Sequence, residues 1–486
     1  MELAVTLDHH LPQPLHRQLY DELRRSILTG RLAAGQRIPS TRALAGSLGV
    51  SRATVTQSYE QLISEGYLQT AVGSGTSVSA QLPDDLLQTP PLKPSRGLSI
   101  GAQTTVRLSR YGARLREVVR EPEQRLPINF KYCRPAVDQF PADEWRRLLL
   151  RQYRAGDAAM LDYAEDGRGY APLRAAIASY LARARAVRCD AEQVIVVNGS
   201  QQALHLIAGV LLDPGDAVAM EEPGYLGARH TFRMHGARLH PVPVDESGIR
   251  VDRLPATRTK LAYVTPSHQF PTGAILSLQR RLELLAWAEQ SGALIVEDDY
   301  DSEFRYGSRP IPALQGLDQN ESVIYAGTFS KILFPSLRIG YLVAPRALVD
   351  VFERAKWLAD RHTPTLEQRA LADFIREGYL DRHLRRMRTL YDKRRQALVC
   401  ALHHHFGDRV TILGENSGMH LMIRLRSRLD ADRLVRRAAE AGVGMNSARI
   451  YYTGPGGEDE FVLGYAGLSE RKIQEGVKRL AKIERE

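Results

Sequence analysis

The chain has 486 residues, with 66 Lys+Arg against 56 Asp+Glu, a formal net charge of +10, and 43% hydrophobic and 25% charged residues. That balance excludes a disordered, collagen-like or coiled-coil chain, and the length suggests several domains at roughly 100–200 residues each. Cys133, Cys189 and Cys400 lie too far apart for a disulfide framework or a CxxC zinc site, and the apolar run Ala203–Leu212, broken by His205, is well short of the roughly 18 residues of a membrane span.

Met1–Arg17 has neither a basic n-region nor an apolar h-region, so a cytoplasmic protein without membrane attachment is expected. The positive charge is spread unevenly. Residues 1–80 carry seven Arg and six acids, and residues 81–126 carry eight bases and five acids. A global excess therefore does not locate a nucleic-acid footprint.

Residues 1–80 read as one small unit. Leu15, Leu19, Leu23 and Ile27 recur every four residues, which predicts an amphipathic helix from Pro14 to Leu28. Ser40 is placed to cap a short helix Thr41–Leu48 closed by Gly49. Ser51 caps the next, through Ser64, with Ala53, Val55, Tyr59, Leu62 and Ile63 as its apolar set. Strands Tyr67–Thr70 and Thr76–Ser79 flank the turn Val72-Gly73-Ser74-Gly75. Three helices and a β-hairpin outline a winged helix-turn-helix. Arg42, Ser51, Arg52, Thr54 and Gln57 are its candidate contacts to double-stranded DNA, since short hydroxyls, Arg and amides at a helix start can reach phosphates and base edges.

Residues 81–126, with Pro83, Pro90, Pro91 and Pro94 among polar residues, mark a linker. Within it Arg107–Arg120 holds five Arg in fourteen residues with Leu115, Val118 and Val119. That segment fits a solvated helix face, a grip on DNA, or a docked helix.

Residues 127–486 alternate strands and helices, the pattern of a doubly wound α/β domain. Predicted strands are Val194–Val197, Asp216–Met220, Ala262–Thr265, Leu294–Glu297, Val323–Ala326 and Ile339–Ala344. A smaller α/β portion has strands near Met419–Leu425 and Glu460–Tyr465. Trp145, Trp287 and Trp357 are expected in the core, and the consecutive His403, His404 and His405 fan out around a helix too widely to share a metal.

Open α/β sheets bind ligands at the carboxyl ends of their strands. Here the chain places a glycine turn opening a helix at Asn198–Gln202, a carboxylate at Asp298 beside Tyr300, and Thr328-Phe329-Ser330-Lys331 followed by Arg338. One joint explanation is pyridoxal 5′-phosphate (PLP): a lysine for the Schiff base, an anion against the pyridinium nitrogen, and a phosphate cup.

Val296–Tyr306 (VEDDYDSEFRY), Gly327–Tyr341 (GTFSKILFPSLRIGY), Thr265–Gly273 (TPSHQFPTG) and Glu221–Tyr225 (EEPGY) resemble the aminotransferase-like half of MocR/GabR-type bacterial regulators. Leu32–Ala45 and Val50–Tyr59 are similar to the GntR-type winged helix. The resemblance spans essentially the whole chain and implies a winged helix-turn-helix followed by a fold-type I PLP-dependent aminotransferase-like domain with a smaller C-terminal α/β portion, usually a homodimer.

Residue by residue, it implies Lys331 as the Schiff-base lysine, Asp298 as the pyridinium partner, Tyr300 on the ring oxygen and Tyr225 near the ring. Ser200, Gln201, Thr328 and Arg338 fall on the phosphate cup. Arg449 falls where these enzymes hold a substrate carboxylate, and Tyr163 reaches towards a partner subunit's phosphate site. One departure stands out. Aminotransferases commonly place an Asn on the cofactor ring where this chain has Phe270, which cannot donate, leaving His268 or Gln269 as substitutes. The expected function is a PLP-dependent transcriptional regulator sensing an amine, an amino acid or PLP itself at Lys331. The alternatives are a working aminotransferase with a DNA-binding appendage, and a plain DNA-binding protein whose large domain only dimerises.

Overall fold

The computed structural model describes residues 7–8, 11–71, 75–83, 107–118, 126–157, 160–164, 166–307 and 311–485. Val72–Ser74 of the expected wing turn, Pro90, Pro91, Pro94, Val119 and Arg120 of the linker segment lie outside them. The chain divides into two compact units, Met1–Arg107 and Leu108–Glu486.

The first unit holds α1 (Leu15–Leu28), α2 (Thr41–Leu48) and α3 (Arg52–Ser64), then the antiparallel hairpin β1 (Leu68–Ala71) and β2 (Gly75–Val78). The expected caps form: Ser40 Oγ accepts from Ala43 N at 3.3 Å and Ser51 Oγ from Thr54 N at 3.1 Å. Gly49 ends α2 at φ +65°, a left-handed conformation that suits glycine and allows the three-residue connection Gly49–Ser51 to α3. Leu19, Leu23, Leu44, Val55, Leu62 and Val78 pack a core of the unit's own. The α3 stripe differs from the expected one. Ala53 is exposed and Ile63 only half-buried, while Ser58 is fully buried because its hydroxyl donates to the His16 and Thr54 carbonyls at 2.7 and 3.0 Å.

The second unit begins with α4 (Arg110–Arg114), capped by Ser109 Oγ accepting from Gly112 N at 3.0 Å. Then come β3 (Ile128–Asn129), α5 (Ala142–Ala155), α6 (Ala171–Arg185), β4 (Val194–Val197), α7 (Ser200–Leu211), β5 (Ala217–Glu222) and α8 (Leu226–Met234). They are followed by β6 (Arg238–Asp245), β7 (Gly248–Ile249), β8 (Thr259–Val264), β9 (Leu294–Asp299), β10 (Val323–Thr328) and β11 (Gly340–Val343). The eight-stranded sheet has the order β4-β11-β10-β9-β8-β5-β6-β7. Its middle strands β10, β9, β8, β5 and β6 are parallel, as the alternation predicts, but β11 runs antiparallel between β10 and β4. The return from β10 to β11 is a loop and not a crossover helix, so the segment after Thr328 stays at the strand end. A second, antiparallel sheet joins β12 (Val410–Leu413), β13 (His420–Leu425), β15 (Asn446–Ser447) and β16 (Glu460–Gly464), while β14 (Val443–Gly444) pairs with β3.

Trp145 is buried, but Trp357 is 46% exposed, with the Arg361 guanidinium 3.7 Å over its ring, so its expected core position is corrected. Among the described residues no helix is long and apolar enough to cross a membrane.

Of the three readings of the basic linker segment, the structure shows docking. The Tyr111 ring meets His205 of α7 and His235 after α8 edge-on at 6.3 and 5.8 Å, and Arg114 Nη1 donates to the Met234 carbonyl at 3.3 Å. Replacing Tyr111 and Arg114 together by Ala is expected to speed tryptic cleavage after Arg110 and Arg116, the sites the double variant retains, several-fold. Stability of the large unit should change by no more than about 0.5 kcal/mol, as for other surface changes. Unaltered cleavage kinetics, followed by fragment mass, would show that these contacts do not hold the segment.

Candidate functional site

The carboxyl ends of β8, β9 and β10 open on a cavity of about 580 Å³. Asp298 reaches it from β9 and is buried. Its Oδ2 accepts from the Tyr263 hydroxyl at 2.7 Å, and its Oδ1 is buried without a hydrogen-bond partner among the described residues. Burial pushes its carboxyl up to about 6, opposed by the Tyr263 bond and the charge of Lys331. Lys331, half-buried in the loop after β10, points its Nζ at the Cys133 carbonyl, 3.4 Å away. Tyr300, Ser200 and Tyr225 complete the part of the lining expected from sequence.

Ser200 opens α7 behind Gly199, whose φ is +85°. A Cβ on Gly199 would sit 2.8 Å from Arg338 Nη2, so the glycine is required for the guanidinium to lie against the turn, where it donates to the Asn198 carbonyl at 2.9 Å. Thr328 Oγ1 accepts from Ser330 N at 3.1 Å, and Ser330 Oγ is buried without a partner among the described residues. Thr328 and Arg338 thus brace the turn and loop flanking the cavity and are not themselves in its lining.

Other expected residues lie elsewhere. Gln201 is exposed and donates through Nε2 to Thr231 Oγ1 at 2.6 Å. Tyr163 is 78% exposed, its ring edge-on to His362. Arg449 is about half exposed; its Nη1 donates to the Gly454 carbonyl at 3.0 Å, and it is not among the lining residues. His268 is also absent from the lining: its imidazole is buried beside Asp301, 3.0 Å away, and His420. Gln269 is committed to Glu221, Pro223 and Phe270. Neither takes the place left by Phe270, whose ring lines the wall.

The sequence reading missed Tyr263 and Thr265, both at the end of β8, and the wall Lys131–Pro135. The strand-end rule could have found the first two. The wall follows the two-residue strand β3, which pairs with β14 more than 300 residues away, so no local signal marks it.

Behind Thr265 lies Glu221, wholly buried. Its Oε2 accepts from Thr265 N, Thr265 Oγ1 and Gln269 Nε2 at 3.1, 2.6 and 3.3 Å, and burial still pushes its carboxyl up to about 7.

Residues 15–78 match the family of bacterial regulatory proteins, gntR family, and residues 132–480 match aminotransferase class I and II. The chain is 42% identical to the probable rhizopine catabolism regulatory protein MocR of Rhizobium meliloti, over 98% of this chain and 95% of that protein. It is 34% identical to the HTH-type transcriptional regulator TauR of Rhodobacter capsulatus, over 96% of each. Among solved structures it is similar to LysN, an α-aminoadipate aminotransferase from Thermus thermophilus complexed with N-(5′-phosphopyridoxyl)-L-leucine. That likeness has a TM-score of 0.69 and 32% identity, and covers 78% of this chain and 97% of that one.

Fold and cavity together define a DNA-binding transcriptional regulator that carries a PLP-binding, fold-type I aminotransferase-like domain. The chain belongs to the MocR-type family of GntR regulators. The residues fit PLP: the unpartnered Asp298 Oδ1, the lysine amine in the same cavity and the helix start at Ser200 offer an anion, an amine and a phosphate cradle.

The Glu221 carboxyl binds its proton more tightly folded than unfolded. From about 4.5, its ordinary value, to about 7 the folded state holds the extra proton, so stability falls as pH rises through that window. Thermal melts of Glu221→Gln should lose part of that fall. An identical pH profile for the variant would mean that Glu221 ionises as freely folded as unfolded.

Proposed function

We propose that this regulator senses an amine or amino acid, or PLP itself, at Lys331, and that the ligand state of the cavity changes operator binding. The observation that carries this reading is the presence of Lys331, Asp298, Tyr300 and Ser200 in one cavity. PLP, when bound, supplies an aldehyde for amines and an electron-withdrawing ring. Lys331 would hold it covalently, and Asp298 would keep its ring nitrogen protonated. Tyr300 would donate to the ring oxygen and Tyr225 would line the ring. Ser200, braced by Thr328 and Arg338, would hold the phosphate.

Lys131 and Arg134 supply positive charge to the cavity wall, which favours them over Arg449 for an anionic group on the effector. The operator would be met by Arg42, Ser51, Arg52, Thr54 and Gln57, all exposed except the half-buried Thr54. We place the protein in the cytoplasm, with its DNA.

The switching experiment measures promoter affinity with and without PLP and a panel of amines and amino acids. Wild-type affinity should change by about tenfold, a coupling of about 1.4 kcal/mol. Lys331→Ala should lose both that response and the visible absorbance of bound PLP. Unchanged promoter affinity under every ligand would refute sensing, and sustained keto-acid release from amino-acid and keto-acid pairs would replace the sensor by an enzyme.

We further propose a homodimer. Leu161, Tyr163 and Leu358 are 83%, 78% and 77% exposed, and Trp357, next to Leu358 in sequence, is 46% exposed. Such an apolar surface suits a second copy of the chain. Light scattering should give twice the chain mass for wild type and once for Leu161→Asp with Leu358→Asp; a dimeric double variant would place the interface elsewhere.

A further inference from the structure

The buried group behind Tyr300 is not used by the cofactor contacts proposed above. Asp301 is 1% exposed and sets both carboxylate oxygens against His268 Nδ1, at 3.0 and 3.1 Å, while its Oδ2 also accepts from Met419 N at 3.1 Å. His268, also 1% exposed, meets the Tyr300 hydroxyl twice: its carbonyl accepts the phenol's proton at 2.9 Å, and its Nδ1 lies 3.1 Å from the phenol oxygen. A carboxylate on Nδ1 fixes the proton at that nitrogen and the orientation of the ring. Gly418 makes the arrangement possible, since a Cβ there would fall 1.9 Å from His268 Cε1 and 2.7 Å from Asp301 Oδ2. The His420 ring, 4.6 Å away and turned by its own contact with the Pro271 carbonyl, closes the far side.

We propose that the buried Asp301–His268 pair is a positioning unit for Tyr300, holding the phenol protonated and in place at the cavity wall, and thereby setting the proton affinity of the Lys331 nitrogen when PLP is bound. The inference rests on the reading of Lys331 given above. It needs the phenol to be the group through which the pair acts, and the geometry supplies that: neither His268 nor Asp301 lines the cavity, while Tyr300 does. The groups facing the phenol are Asp301 and His268 behind it, Asp298 on β9, Tyr263 on β8, and Cys133 and Lys331 across the cavity. Burial first, then the Asp301 charge, push the phenol's proton affinity well above its ordinary value, so it remains a donor throughout the accessible pH range. With PLP bound, the one phenol proton would turn from the His268 carbonyl to the ring oxygen, and a phenol donating there lowers the proton affinity of the neighbouring nitrogen; losing its support raises it.

The test is a pH titration of the visible absorbance of PLP bound to the full-length protein. Lys331→Ala must abolish the band, and Tyr300→Phe should raise its midpoint. His268→Leu should move the midpoint in the same upward direction by about one pH unit, a free-energy change of about 1.4 kcal/mol. His268→Asn, whose amide can still donate to Asp301, should stay within about 0.3 unit of wild type. If His268→Leu does not fold, Asp301→Asn carries the same expectation of an upward shift.

A midpoint that moves in Tyr300→Phe but not in His268→Leu or Asp301→Asn overturns the positioning role and leaves the Lys331 reading intact. Absence of a Lys331-dependent band in wild type overturns both.

Discussion

Three consecutive carboxylates buried at the end of one strand are the constraint around which the large unit is arranged. Side chains alternate faces along a strand, so Glu297 and Asp299 of β9 point one way and Asp298 the other. Glu297 is satisfied by the Leu314 and Gln315 amides at 2.9 and 2.8 Å, with Arg281 Nη1 3.9 Å away. Asp299 takes the buried Arg185 at 2.9 Å and the Tyr325 hydroxyl at 2.6 Å, and against the effect of burial Arg185 holds its carboxyl below the usual range. Breaking such a buried pair by removing one partner typically costs about 3–5 kcal/mol. The cations are therefore spent on one face. Among the described residues Asp298 is left with a single phenol on one oxygen, no partner on the other and a raised proton affinity, a site open to a cationic ligand.

The antiparallel strand β11 serves the same end from the other side. Because β10 and β11 are direct neighbours, the loop between them cannot leave the strand ends, and Lys331 and Arg338 occupy its two flanks. The strand β4 lies on the far side of β11, which brings Gly199 under Arg338 and Ser200 into the cavity. Sheet order alone thus assembles a lysine, an arginine-braced turn and a carboxylate that are distant in sequence, without any of them sitting in a long flexible segment.

The elements were largely legible because their signals are local. Both caps at Ser40 and Ser51 and the strand Val194–Val197 follow from residues within a few positions of each other. Of the residues lining the cavity, Lys331, Asp298, Tyr300 and Ser200 were legible because they stand at or just past strand ends or start a helix, whereas Tyr225 was expected only from the family resemblance. What escaped depends on packing between distant segments. Arg449 looks like a carboxylate fork by position but is turned to Gly454 by the loop after it. His268 looks like a ring donor until Asp301, three residues past Asp298, is seen to hold it from behind. Trp357 has helical apolar neighbours, yet its face of the helix is the one left uncovered.

The head carries only one more base than acids, so its hold on DNA depends on a few placed side chains and not on a general positive field. In the second unit, α4 is only five residues long, too short to persist as an isolated helix, and owes its form to Tyr111 and Arg114 against α7 and the end of α8. Its two supports are α7, which starts at the cavity with Ser200, and the end of α8, which is capped at the cavity by Tyr225. The first described stretch of the large unit thus rests on the two helices that start at the cavity. A rearrangement that shifts those helices as rigid bodies shifts the footing of α4 with them.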